Sequence, residues 1–306
     1  MTEGKKYNIL VVDDSRSVRA FFEDVFSRKK NYHAEFASSG EEAIELFRNS
    51  MEGGRPKFDF VLSDINMTGM DGFDTLSAIR KIAPDVKTGM ITGFNVDDYI
   101  KVALERGVYN IISKTDSPAE IVKTVDNLIT GENIFGILSY LEPGNGTNRV
   151  KVTETHKLKS VVQEILDFAE NKLDEDKLYG LKTGLVEMGT NAIYHAYGYE
   201  KGSRVELKAQ EEVFIEYGSD SENLVVVIED TSGSLTKEKV LSQLNKCINP
   251  TQEDLVASGG RGIYLTRYLC DKVVINLSVK KLTEIILIMY FRQDYEEIKP
   301  LLVNQI

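Results

Sequence analysis

Apolar runs and helical stripes alternate along the first 130 residues. Tyr7–Val12 (YNILVV) is a short apolar run, and the acidic pair Asp13–Asp14 follows it. Ser15 stands where a cap would open a helix reaching about Arg28. Tyr32–Ala37 predicts a second strand, and residues 39–49 a helix with Ala43, Ile44 and Phe47 on one face. Residues 58–63 predict a third strand ending at Asp64, with the Gly/Asp-rich loop to Gly72 behind it. Residues 72–82 place Phe73, Leu76, Ile79 and Arg80 at helical spacing. A fourth strand over 86–91 precedes Thr92, and a helix over 96–106 is stopped by Gly107. A fifth strand over 109–113 precedes Lys114, and Ser117–Pro118 opens a helix to about Thr130. Five strand–helix alternations predict an α/β unit, a doubly wound five-stranded parallel sheet with helices on both faces.

The pattern then changes. The run EPGNGTN, residues 142–148, marks a boundary, so residues 1–131, a linker over 132–149 and residues 150–306 are expected. The apolar piece IFGILSYL inside that linker reads either as a helix extension docking on a partner or as a patch over a sheet edge. Residues 150–153 suggest a short edge strand, and 156–172 an amphipathic helix. A second helix over about 176–196 carries Leu178, Leu181, Leu185, Met188 and Ala192 as one apolar stripe. Beside the stripe, Glu187, Asn191 and His195 repeat at i, i+4; such a row faces a polar cavity or simply solvent. Residues 204–210, 213–217 and 224–229 predict consecutive strands, the last ending at Asp230 before the loop TSGS. A helix over 237–246 leads to Ser258-Gly259-Gly260-Arg261-Gly262, then to an apolar helix over 263–269. Strands over 273–279 and 284–291 complete a mixed, largely antiparallel sheet with helices on one face, an α/β sandwich.

Composition narrows the partners. A chain of 306 residues allows about two domains. Its net charge of -11 argues against nucleic acid as a direct partner, because phosphate contacts need clustered cations. The two cysteines, Cys247 and Cys270, have no metal or disulfide spacing and read as buried free thiols of a reducing compartment. No leader is expected where MTEGKKYNIL runs straight into a strand, and no apolar run is long enough to insert in a membrane. A cytoplasmic location follows as the expectation.

Asp13, Asp14, Asp64, Thr92 and Lys114 all fall at the carboxyl ends of predicted strands, where parallel α/β sheets bind ligands. A lone strand-end aspartate is more often a turn former or helix cap. Three carboxylates in one crevice instead call for a cation, and an oxygen-only set suits Mg2+. A hydroxyl and an ammonium opposite them suit phosphoryl oxygens, so phosphoryl transfer onto Asp64 is the implied chemistry. The motifs VVDDS, SDINMTGMDG, ITG and SK, in this order, closely resemble the receiver domain of bacterial response regulators. That resemblance implies a flavodoxin-like fold, Asp64 as phosphoacceptor and an upstream histidine kinase as donor. It implies Asp13, Asp14, Asp64 and the Asn66 carbonyl around Mg2+, Thr92 as switch hydroxyl and Lys114 as phosphate-binding lysine. The chain departs from the family at Thr68 and Thr115, where proline is usual. It departs again at Ile111, where an aromatic is usual, with Tyr109 two residues earlier. The signal is therefore expected to leave by another surface.

In the second half, LVEMGTNAIYHAYG and SGGRGIYLTRYLCDKV resemble the ATP-binding domain shared by histidine kinases, DNA gyrase and Hsp90. They are most similar to the anti-sigma-factor serine kinases. The resemblance implies ATP, with Asn191 on a Mg2+ that bridges its phosphates and Glu187 activating the attacking hydroxyl. Asp230 would accept from the adenine amino group, and Gly233 to Ser258 would form a lid. The backbone of Gly259, Gly260 and Gly262 would approach the phosphates with Arg261, and His195 would complete the nucleotide site. The family's Asp-x-Gly-x-Gly reads here Asp230-Thr231-Ser232-Gly233-Ser234, so weakened ATP binding is expected. The implied protein is a homodimeric response regulator, phosphorylated on Asp64, whose output is a serine/threonine kinase. That output would act on a sigma factor or an anti-sigma antagonist in a partner switch. The rivals are a non-catalytic binding module and a histidine kinase-like ATPase, for which His156 is the upstream candidate.

Overall fold

The computed structural model describes residues 5–53, 56–131, 134–252, 254, 260–292 and 298–305. The chain divides into two compact units, Met1–Glu132 and Asn133–Ile306.

The first unit alternates β1 (Tyr7–Val12), α1 (Arg16–Ser27), β2 (Tyr32–Ala37), α2 (Gly40–Met51), β3 (Phe60–Asp64) and α3 (Gly72–Ile82). It continues with β4 (Lys87–Thr92), α4 (Ile100–Arg106), β5 (Asn110–Ser113) and α5 (Pro118–Thr130). The sheet order is β2-β1-β3-β4-β5, every pair parallel. Helices on both faces explain why β1 and β3 read as unbroken apolar runs: Ile9 to Val12 and Phe60 to Leu62 are all inaccessible. Each such side chain contributes roughly 1.5–3 kcal/mol. Ser15 takes the expected cap position, but its hydroxyl meets Ser17 Oγ (2.9 Å) and makes no capping bond. Its backbone N–H instead donates to Asp13 Oδ1 (2.9 Å). The expected helix over 96–106 begins as a 3-10 turn, Val96–Tyr99, and ends at Gly107 in the left-handed region.

The second unit contains β6 (Thr147–Val152), α6 (Thr155–Ala169), α7 (Glu175–Thr190), β7 (Val213–Ser219), β8 (Asn223–Asp230) and α8 (Lys237–Ile248). After these come α9 (Gly262–Leu269), β9 (Lys272–Ser278), β10 (Leu282–Tyr290) and β11 (Leu301–Gln305). The sheet order is β11-β9-β10-β8-β7-β6, antiparallel except where β11 joins β9 in parallel. Helices α6, α7 and α9 pack together, and α7 lies on β10.

Three expectations are corrected. Residues 204–210 form no strand, because β6 already holds the edge beside β7. Val205 and Leu207 pair locally with Thr155 and Thr153 instead. The apolar piece at 134–141 is neither a helix extension nor an edge cover. It makes one 3-10 turn, Ile137–Ser139, after Gly136 at φ 85, and touches the interior strands β7 and β8. Cys247 is half-exposed rather than buried; Cys270 is buried, and both are free. Strand β11 was not anticipated: LLVNQ is short and follows a charged stretch, and its partner β9 is distant in sequence.

Candidate functional site

The register of the first unit sets its strand ends level. Val12 pairs with Ser63, Asp64 with Ile91, and Thr92 with Ser113. Asp13, Asp64, Thr92 and Lys114 therefore share one edge. Lys114 Nζ donates to Asp13 Oδ2 and Asp64 Oδ2, both at 2.7 Å. Asp13 is fully buried, Asp64 is 6% exposed, and Asp14 is exposed. One oxygen from each of the three carboxylates lies within 4.8 Å of the others. Burial pushes the Asp64 carboxyl above its usual range, against the pull of Lys114. Burial pulls Lys114 down, but its bonds to Asp13 and Asp64 prevail and hold its ammonium above the ordinary lysine value. One ammonium against three carboxylates leaves negative charge, and an oxygen-only set this compact fits a hard divalent cation. Thr92 is fully buried, and its Oγ1 accepts from the Phe94 N–H (3.0 Å).

Two features of this edge escaped the sequence reading. Thr68, noted only as a missing proline, donates both its N–H and its Oγ1 to Asp14 Oδ2, each at 2.8 Å. These bonds hold the Asp14 carboxyl below the usual range. Proline has no N–H and could make neither. The Asn66 side-chain amide donates to the Tyr99 hydroxyl (2.5 Å), and the Tyr99 ring lies 6.3 Å from Phe73. Tyr99 is thus an aromatic beside the acceptor loop, and Ile111 is core. Nothing in the apolar pattern marks Tyr99. At Gly72, the end of the loop, a Cβ would sit 2.0 Å from the Asp64 carbonyl oxygen, so only glycine closes it.

In the second unit a cleft of about 720 Å³ is lined by Glu187, Asn191 and His195 along one side. Of the two readings for that row, the cavity is the one observed. The row spans the end of α7 and a π-turn, Asn191–His195, that continues it. Asp230, Gly260, Arg261 and Gly262 line the cleft too; Ser258 and Gly259 lie outside the described residues. Asp230 ends β8 and is 6% exposed, and burial pushes its carboxyl up to about 6. Ser232 donates its N–H (3.0 Å) and its Oγ (2.5 Å) to Asp230 Oδ1. Gly233 is not on the lining. It adopts φ 53, and a Cβ there would lie 2.3 Å from Lys281 N, so this loop requires its single glycine at 233. At the start of α9, a Cβ on Gly262 would come 2.6 Å from Glu187 Oε2, so the missing side chain admits the carboxylate to the helix N-terminus. Sequence reading missed Lys201, Lys239, Thr283 and Ile285 on the lining. Thr283 is opposite Asp230 in the β8–β10 register, a pairing invisible until the strands are aligned.

The family model for the response regulator receiver domain matches residues 9–126, and that for the histidine kinase-like ATPase domain matches residues 150–289. The chain joins a receiver domain to a histidine kinase-like ATPase domain. Curated relatives include the response regulator protein VraR of Staphylococcus epidermidis, 31% identical over 128 residues, or 42% of this chain and 58% of the relative. VraR of Staphylococcus aureus is 32% identical over the same shares. The chain thus spans 58% of the length of these curated relatives. Among solved structures, the CheX–CheY–BeF3–Mg+2 complex from Borrelia burgdorferi matches at 28% identity and a TM-score of 0.36. It covers 40% of this chain and 90% of that one. Vibrio cholerae CheY4 matches at 25% identity and a TM-score of 0.36, covering 40% of this chain and 98% of that one.

The receiver domain thus carries the carboxylate–ammonium cluster, and the ATPase domain carries the polar cleft. The cleft's volume lies within the range of small-molecule sites, which suits a nucleotide. Glu187 and Asn191 supply oxygen donors on one wall, and Arg261, Lys201 and Lys239 supply positive charge on the others. Among the described residues no helix is long and apolar enough to cross a membrane.

Proposed function

We propose that this protein is a response regulator whose receiver domain, phosphorylated on Asp64, controls an ATP-dependent serine/threonine kinase of the anti-sigma-factor type in a partner switch. The observation that carries the reading is the Asp13–Lys114–Asp64 cluster on the same chain as the Glu187–Asn191 cleft. A phosphohistidine of an upstream histidine kinase is the donor. An Asp64 carboxylate oxygen attacks phosphorus, the P–N bond breaks, the histidine nitrogen takes up a proton, and an acyl phosphate remains. Mg2+ at the three carboxylates would neutralise charge on the transferring group. Lys114 and Thr92 hold the phosphoryl oxygens. In the ATPase domain, Glu187 takes the proton of the attacking serine hydroxyl, and Asn191 would hold a Mg2+ that neutralises phosphate charge. Asp230 accepts from the adenine amino group, and Arg261 faces the phosphates.

Incubation with γ-labelled ATP and a candidate antagonist tests this. Acid-stable phosphoserine on the antagonist, lost in Glu187→Ala, is the expected result. Acid-labile label on the chain itself would indicate a histidine kinase instead. That outcome is disfavoured because His156 sits exposed in the first turn of α6, a helix packed on α7 within the ATPase domain. A non-catalytic binding module is the second reading, motivated by Ser232, whose hydroxyl already occupies an Asp230 oxygen. It predicts ATP-dependent capture of the partner with no phosphate transferred.

A further inference from the structure

Residues 134–141 follow the receiver's last helix α5 after only three positions, yet they pack inside the ATPase domain. Ile134, Ile137, Tyr140 and Leu141 are buried. The fastening is polar and centres on buried Asn276 and Glu284. The Gly136 N–H donates to Glu284 Oε2 (2.7 Å), and Asn276 Nδ2 donates to Glu284 Oε1 (2.9 Å) and to the Ile134 carbonyl. The Tyr140 hydroxyl donates to the same carbonyl (3.1 Å), and Asn304 Nδ2 holds Asn276 Oδ1 (2.8 Å). Glu284 and Asn276 are both 0% exposed. A buried carboxylate on an outer sheet face is costly unless its bonds are kept, so releasing the segment would strand Glu284 without its Gly136 donor.

Position gives this fastening its reach. Glu284 lies between Thr283 and Ile285 on β10, both of which line the nucleotide cleft. Side chains alternate along a strand, so one stretch of backbone presents the cleft on one face and the fastener on the other. On the neighbouring strand Glu229 pairs with Glu284 and precedes Asp230. Arg149 on β6 holds Glu229 (3.0 Å) and Glu216 (3.1 Å). Gly136 sits at φ 85 with open space around it, so the turn needs glycine for its backbone alone.

We propose that residues 134–141 are a strap whose seating on the outer face of the ATPase sheet transmits the state of Asp64 to the nucleotide cleft. This rests on the functional reading above, in which Asp64 is the input and the cleft the output. It needs no aromatic relay at position 111: the covalent continuation of α5 is the route.

Hydrogen exchange of the full chain, with and without Mg2+ and beryllofluoride as phosphoryl analogue, tests it. Protection of the loop around Asp64 to Gly72 reports loading. The expected result is a change of about fivefold or more in exchange of the 134–141 peptide on loading, with a matching change in ATP affinity. Glu284→Ala should speed strap exchange about tenfold and abolish the effect of beryllofluoride on ATP affinity while ATP still binds. Glu284→Gln, which keeps an acceptor for Gly136, should preserve it. If Glu284→Ala does not fold, Gly136→Ala, which strains only the strap's backbone, replaces it. Loading that leaves strap exchange unchanged, or coupling that survives the loosened strap, overturns the proposal. Absence of ATP binding would instead sink the functional reading, while strap exchange on loading would still judge the strap.

Discussion

Thr68 shows how one side chain alters a shared chemistry. Its two bonds fix one Asp14 oxygen and leave the other for a cation. Thr68→Pro removes both donors; Mg2+ affinity measured by calorimetry should fall about tenfold, equivalent to roughly 1.4 kcal/mol. Thr68→Ser should restore it, and equal affinities in all three would show that the clamp does not orient Asp14. Asp230 makes a second prediction. Its folded carboxyl titrates at about 6, against 3.8 for the unreshaped group. Between those values the folded state binds more protons than the unfolded one. The group's contribution to stability is therefore complete below 3.8, falls as pH rises, and is gone above about 6. In the proposed reading the adenine amino group donates to this carboxylate, so ATP affinity should move the opposite way, rising from pH 5 to pH 7. Asp230→Asn should flatten that profile in calorimetric titrations, and a sloping profile in the variant would assign the titration elsewhere.

At the scale of elements, turns decide more than strands do. The Ser117–Glu120 capping box opens α5, and Ser117→Ala should cost about 1 kcal/mol in denaturant unfolding of the receiver domain. Gly233→Ala forces a side chain into a left-handed position and against Lys281 N. It should cost about 1–3 kcal/mol and loosen the cleft, seen as both lower ATPase-domain stability and weaker ATP binding. The same contrast explains what was legible. β1, β3, Asp64 and Lys114 were plain because a parallel sheet covered on both faces writes continuous apolar runs and puts its chemistry at their ends. The row Glu187, Asn191, His195 was visible as spacing, but its exposure was not, since a helix pattern does not say what lies beside its polar flank. Residues 204–210 alternate like a strand and are not one, because the available edge went to β6. Thr283 and β11 depend on pairings between distant segments, which local periodicity does not carry.

At the scale of the whole molecule, the proposed function assigns Mg2+ to the receiver domain and ATP to the ATPase domain. The receiver's three carboxylates repel one another, and Lys114 bridges Asp13 and Asp64, so Mg2+ should raise the thermal stability of that domain. At a hundredfold excess over its dissociation constant the gain is about 2.7 kcal/mol. ATP should raise the unfolding temperature of the ATPase domain, read as slower exchange in β8 and β10 rather than in β1 and β3. Asp64→Asn should blunt the first effect and spare the second. If Mg2+ without ATP protected β8 and β10 alone, the assignment of the two sites would be reversed.

Strand β11 bears on the order in which the chain acquires its structure. The pairs β2–β1, β1–β3, β3–β4 and β4–β5 all form between residues 7 and 113, so they are available once α5 has been synthesised. The ATPase sheet cannot complete its β9 edge until Leu301–Gln305 has been made. Arg267 waits as long, since its guanidinium bonds the carbonyls of Lys299 and Pro300. On the ribosome the receiver domain would thus be finished well before the ATPase domain. During that interval the Cys270 carbonyl at the end of α9 would lack its later donor, Lys299 Nζ.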